Sequence, residues 1–232
     1  MEIEEEPIDH LKIFHGFWFT PFHLQATEEV LKQFKPLPDD TILASFPKTG
    51  TTWLKSLIYS IVNRSSIDQV RRNHPQELVP QLELQVYGPH SISSHHFPSL
   101  DSPLSSNRIF STHLPYQILG DIINSSDCRV VYVARNPKDT IVSFWHFINK
   151  LEMFKTSPCS LESVVNDFCK GQVGFGPYYD HVLGYHKESM ERPKKFFFVT
   201  YEELKSDAKT HVKKLAEFLV RLIKKSKWTR WY

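Results

Sequence analysis

Four short runs of apolar and β-branched residues punctuate the chain: TILASF (41–46), RIFST (108–112), RVVYVA (129–134) and KFFFVT (195–200). Each is nearly continuous rather than alternating, the pattern of strands covered on both faces. Three of them lead into apolar residues at helical spacing. Leu54, Leu57, Ile58 and Ile61 form one stripe, and Ile141, Phe144, Trp145 and Ile148 a second. Leu204, Val212, Leu215, Phe218 and Leu219 form a third, each stripe fitting one helix face. A further helix is predicted within 176–190, connecting two strands. Strands alternating with helices predict an α/β fold, a three-layer arrangement of one parallel sheet flanked by helices. Ligands of such sheets bind beyond the carboxyl ends of the strands. That places residues 47–53, 113–116, 135–138 and 201 on one rim.

Residues 65–107 break the pattern. They are rich in Ser, Pro and His, with one short stretch, ELVPQLEL, of helical character. A loop-rich segment of this length inside a compact unit reads as a lid or binding segment. There is no internal repeat and no linker, so the 232 residues read as one domain, long enough to bury a full core.

Composition narrows the function classes. A net charge of +2 argues neither for nucleic acid nor for a membrane surface. The three cysteines have no metal-binding or paired spacing, which favours a reducing compartment. The amino-terminal MEIEEEPIDH is acidic, unlike a secretory leader, and no apolar run reaches the roughly 18 residues of a membrane span. A cytoplasmic protein is expected. His95–His96 lacks acidic or Cys partners at ligand spacing and reads as solvated loop, and RLIKKSKWTRWY (221–232) reads as a frayed end.

The stretch FPKTGTTWL (46–54) carries the chemistry. A strand–turn–helix exposes free amides at the helix start, where the dipole also favours an anion. Lys48 adds a charge, Thr49, Thr51 and Thr52 add hydroxyls, and Gly50 permits close backbone approach. The lysine precedes the glycine, so this is not a Walker loop. Residue types alone leave two alternatives, a phosphate site and a Thr-capped ordinary turn.

FPKTGTTWL resembles the 5'-phosphosulfate loop of the cytosolic sulfotransferases, and RIFSTHLPY (108–116) resembles the segment that carries their catalytic histidine. RVVYVARNPKDTIVSFWHF (129–147) is similar to their 3'-phosphate strand and helix, and FGPYYDHVLGYHKES (175–189) and FFFVTYEELKSD (196–207) follow in order. The wording is closest to the plant members and the resemblance runs from about Gly16 to Leu219.

It implies a P-loop-like sulfotransferase fold and transfer of a sulfuryl group from 3'-phosphoadenosine 5'-phosphosulfate to an acceptor hydroxyl, without a metal. By the same resemblance, Lys48 neutralises the leaving phosphate, and Thr51 and Thr52 with the amides of Thr49 and Gly50 cradle the 5'-phosphate. Trp53 and Tyr201 adjoin the adenine, Arg135 and Ser143 bind the 3'-phosphate, and His113 is the base. Phe147 is the match for an aromatic gate of the acceptor pocket, to which Phe17, Trp18 and Tyr87 are added. The implied acceptors are small hydroxylated molecules of flavonoid, steroid, jasmonate or glucosinolate type, with neither nucleic acid nor membrane as partner. The family pattern is departed from at Ser111, where many animal members carry Lys, and after Leu219. There the phosphate-clamping segment and the dimerisation motif are not found, which puts a homodimer in doubt and leaves the oligomeric state open. The domain then reads as incomplete at its carboxyl end. The alternative function is a catalytically dead or weak nucleotide-binding remnant.

Overall fold

The computed structural model describes residues 11–64, 68–88, 108–151 and 156–220. His95–His96 and the 221–232 tail lie outside the described residues. A four-stranded parallel sheet organises the rest. Its strands are β3 (Thr41–Ser45), β4 (Ile109–Thr112), β5 (Arg129–Ala134) and β6 (Phe196–Thr200), in the order β4-β3-β5-β6. All four coincide with the predicted apolar runs, within a residue at their ends.

The near-continuous apolarity has a simple cause: both faces of the sheet are covered. Ile42 and Ala44 of β3 and Val130, Tyr132 and Ala134 of β5 join one core, while Leu43, Val131 and Val133 join another. On the first face pack α1 (Pro21–Gln33), α5 (Tyr116–Asn124), α6 (Pro137–Ile148), α7 (Leu161–Cys169) and α8 (Tyr178–Glu191). On the second pack α2 (Thr51–Val62), α9 (Tyr201–Ser206) and α10 (Ala208–Val220).

Several elements differ from expectation. The third apolar stripe belongs to two helices. Asp207 leaves the helical region, and its carboxylate takes the Thr210 amide at 3.0 Å, restarting the chain as α10. Within 65–107, the described part is structured: α3 (Asp68–Arg72), α4 (Pro75–Leu78) and a π-helical turn at Leu82–Val86. Pro80, which cannot donate into a helix, separates the last two and instead accepts the Ser111 amide through its carbonyl at 2.9 Å. An antiparallel hairpin, β1 (Lys12–Phe14) and β2 (Phe17–Phe19), precedes α1 and was not signalled by the hydrophobic pattern. Its two-residue turn places His15 and Gly16 both at positive φ, as a type I′ turn requires. The hairpin docks through Trp18, which exchanges backbone hydrogen bonds with Phe175 and Gly176 at 2.7 and 2.9 Å.

Candidate active site

Lys48, His113, Arg135 and Tyr201 follow the carboxyl ends of β3, β4, β5 and β6 respectively, so the sheet delivers one predicted residue per strand to a single rim. Between β3 and α2 the chain turns with Lys48 at φ 70° and Gly50 at φ 114°. Gly50 is required twice over, because a Cβ there would also stand 2.9 Å from the Tyr201 ring. The α2 amino terminus has no side-chain cap, so its first amides are left for another partner. Of the three threonine hydroxyls, the structure commits two internally. Thr49 donates to the carbonyls of Phe46 and Val133 (2.8 and 3.0 Å) and is fully buried, which ties the turn to β5 rather than arming it. Thr51 shares a hydrogen bond with Ser45 at 2.7 Å, and Thr52 is exposed. Trp53 and Tyr201 meet edge to face at 5.6 Å.

The nearby charges are mostly of one sign. The Lys48 ammonium lies 4.4 Å over the Phe147 ring. Burial holds its pKa below the usual lysine range, and the neighbouring cations Lys150 and Arg135 press it further the same way. Arg135 stacks on Tyr201 at 4.8 Å and donates to the Lys48 carbonyl at 3.3 Å. Its one carboxylate contact among the described residues is the exposed Asp139 at 3.8 Å, too long for a hydrogen bond. Its Nε is buried without a partner among the described residues. Ser143 lies half-buried two turns along α6.

His113 is held on three sides. Its Nδ1 donates to the Ser45 carbonyl at 2.7 Å, which fixes the tautomer and leaves Nε2 as a lone pair. Its amide donates to Glu83 at 2.5 Å, and its carbonyl accepts from His181 Nε2 at 2.8 Å. The other nitrogen of His181 faces the Tyr132 hydroxyl at 2.9 Å. Burial lowers the His113 pKa to about 4; the bond to Ser45 opposes this, and the charges of Lys55 and Lys48 add to it. The imidazole is therefore neutral at working pH.

Glu83, Lys55, His181 and His23 are the residues that the sequence reading missed. Glu83 is fully buried, accepting from Gln81 (2.7 Å), Thr112 (2.9 Å) and the His113 amide. Lys55, equally buried, donates to Gln76. Burial pulls its pKa down to about 8 against the opposing pull of Glu83. A signal existed for two of them: Lys55 sits on the α2 stripe between Leu54 and Ile58, and His181 on the α8 stripe of Tyr178 and Tyr185. Polar residues at core-facing positions demand an explanation. Of the proposed acceptor residues, Phe147 is beside Lys48, Phe17 is core packed against His181 at 6.4 Å, and Tyr87 packs against Phe34 at 6.4 Å. Among the described residues there is no cluster of His, Cys, Asp and Glu able to hold a metal, and no helix long and apolar enough to cross a membrane.

Known proteins resemble this chain in sequence and fold. Residues 38–229 match the sulfotransferase domain family, a span that continues ten residues past Leu219. Cytosolic sulfotransferase 15 of Arabidopsis thaliana is 42% identical over 218 residues, covering 90% of this chain and 59% of that protein. Cytosolic sulfotransferase 5 of the same plant is 42% identical over 212 residues, covering 89% and 64%. The chain thus spans about three fifths of the length of the relatives it matches. Among solved structures, a candidate steroid sulphotransferase from Arabidopsis thaliana is 39% identical with a TM-score of 0.75, covering 90% of this chain and 71% of that one. The mouse sulfotransferase SULT7A1 complexed with PAP is 28% identical with a TM-score of 0.67, covering 91% and 69%. With the sheet order, the turn and the histidine all in the same register as the motifs, the conclusion is direct: this chain belongs to the sulfotransferase family.

Proposed function

We propose that the protein transfers a sulfuryl group from 3'-phosphoadenosine 5'-phosphosulfate to a hydroxyl of a small acceptor. The observation that carries this reading is the Arg135 Nε, buried and unpartnered among the described residues, near Lys48, which also feels Lys150. A buried guanidinium donor left idle among like charges fits a polyanionic ligand better than any partner of the chain's own. The mouse relative solved with PAP supports the nucleotide. When bound, the phosphosulfate form would supply the sulfuryl group, with adenosine 3',5'-bisphosphate as the leaving group.

The residues divide the work. Lys48, Thr52 and the open α2 amides hold the 5'-phosphate, with Gly50 and Thr49 shaping the turn and Thr51 linking it to Ser45. Arg135 and Ser143 take the 3'-phosphate, and Trp53 and Tyr201 flank the base. Neutral His113, its ring held by Ser45, accepts the acceptor's hydroxyl proton at Nε2. Phe147 borders the acceptor beside Lys48, while Phe17 and Tyr87 act through the rings they pack against, His181 and Phe34. The reaction assigned to these residues uses no metal. We place the protein in the cytoplasm, in keeping with the names of its plant relatives, and read it as one domain built on one sheet.

Calorimetric titration with adenosine 3',5'-bisphosphate tests the reading. Micromolar binding is expected, weakened about 10- to 100-fold in Lys48→Ala, the worth of one charge-assisted contact. A folded chain that binds no nucleotide would overturn it and favour the inactive remnant.

A further inference from the structure

Three ring side chains of α8, spaced i, i+3 and i+7 on one helix face, each donate to a main-chain carbonyl at the rim. The Tyr178 hydroxyl donates to the carbonyl of Arg135. His181 Nε2 stands 2.8 Å from the carbonyl of His113, and the Tyr185 hydroxyl donates to that of Leu114, also at 2.8 Å. A carbonyl oxygen has no proton to give, so this contact fixes the His181 tautomer. Its Nε2 carries the hydrogen, and its Nδ1 takes the Tyr132 hydroxyl proton at 2.9 Å. All three rings are buried. Burial also keeps them un-ionised, raising the pKa of both tyrosines and lowering that of His181 to about 4.

The carbonyls they hold lie past the last paired residues of β4 (Thr112) and β5 (Ala134), where the sheet no longer fixes the chain. Across the sheet the strands run β4, β3, β5. His113 and Leu114 follow β4, Phe46 follows β3 and Arg135 follows β5. The Phe46 ring meets His181 at 5.6 Å and Tyr178 at 5.1 Å, both edge to face. From Tyr185 back to Tyr178, one helix face therefore meets three strand ends in their order in the sheet. The lengths agree: seven residues of helix rise about 10 Å, and two strand spacings also span about 10 Å.

Resting on the sulfotransferase reading above, we propose that Tyr178, His181 and Tyr185 are positioning residues, through which α8 sets the separation between His113 and Arg135. The base must meet a hydroxyl opposite a nucleotide anchored at Arg135. An error in this separation at the His113 end falls on the chemical step rather than on nucleotide binding.

The test loosens each end in turn. Tyr178→Phe, which removes one hydroxyl at the Arg135 end, is expected to weaken calorimetric binding of adenosine 3',5'-bisphosphate about three- to tenfold. His181→Phe is expected to leave that Kd within about twofold and to lower kcat about 10- to 100-fold. His181→Gln, which keeps an N–H donor, should recover part of the loss. Nitrogen NMR of the His113 ring, assigned with His113→Asn, gives a readout free of turnover. A single form protonated at Nδ1 is expected in the unmodified protein and in Tyr178→Phe, and a mixture of tautomers in His181→Phe. Should His181→Phe fail to fold, Tyr185→Phe loosens the same end and carries the same expectations. An unchanged Kd in Tyr178→Phe, a His113 ring that stays in one form in His181→Phe, or equal losses of binding and turnover in both variants overturns the inference. If the unmodified chain binds no nucleotide or turns nothing over, the sulfotransferase reading falls, and the His113 signals alone decide whether α8 holds the histidine in place.

Discussion

Two arginines mark opposite ends of the same sheet. Arg108, at the amino end of β4, grips Asp40 with two hydrogen bonds of 2.8 and 2.5 Å, and Asp40 also takes the Leu37 amide at 2.7 Å. Arg135, at the carboxyl end of β5, has among the described residues no partner for its buried Nε and only a distant, exposed carboxylate. Their side chains are comparably shielded, at 10% and 22% exposed, so burial does not explain the contrast. One arginine closes the fold and the other is left incomplete. An idle buried donor costs folding free energy, so it persists where something outside the chain completes it.

The largest expected effect lies at the open end. His113→Ala should lower turnover by about 10²–10⁴-fold while the fold survives, measured by steady-state rates beside circular dichroism. Wild-type turnover in the folded variant would remove His113 from the mechanism.

Acid should act on that end too. His23, His113 and His181 all have folded pKa values lowered from 6.5 to about 4 by burial. A group depressed in the folded state contributes stability above its unfolded pKa and loses it as pH falls towards the folded one. Between pH 7.5 and 5.5 the loss should approach about 4 kcal/mol, near 1.4 kcal/mol per histidine, read from urea midpoints. A midpoint flat across this window would mean these rings are not held neutral.

At the closed end, Asp40→Asn should cost about 3 kcal/mol of stability by leaving Arg108 uncompensated, with nucleotide affinity unchanged. Arg135→Lys should do the converse, weakening adenosine 3',5'-bisphosphate binding about tenfold with stability little altered, since an ammonium lacks the forked donors. Equal behaviour of the two variants in both measurements would erase the distinction between the ends.

The sheet and the turn were legible in the sequence because both rest on local patterns: unbroken apolar strands, and a lysine, glycine and threonines at a helix start. Other features depend on what lies across space. Asp207 splits a single apolar stripe because its carboxylate caps a new helix, a choice the stripe's spacing does not record. Thr49 reads as a phosphate donor until its hydroxyl is seen spent on Phe46 and Val133, the latter 84 positions away. Glu83 fell within the short helical stretch ELVPQLEL without being singled out; the π-helical turn brings it against the His113 amide, thirty residues on. The hairpin and α1 were silent because their apolar residues are few and form no long stripe.

That late-recognised amino-terminal piece has a consequence for how such enzymes diversify. The groups proposed for the nucleotide hang from β3, β5, β6 and their following helices, whereas His23 and the Trp18 tether to Phe175 come from a segment outside the sheet. Residues 12–33 can therefore vary among relatives without altering the strands that carry the groups proposed for the nucleotide.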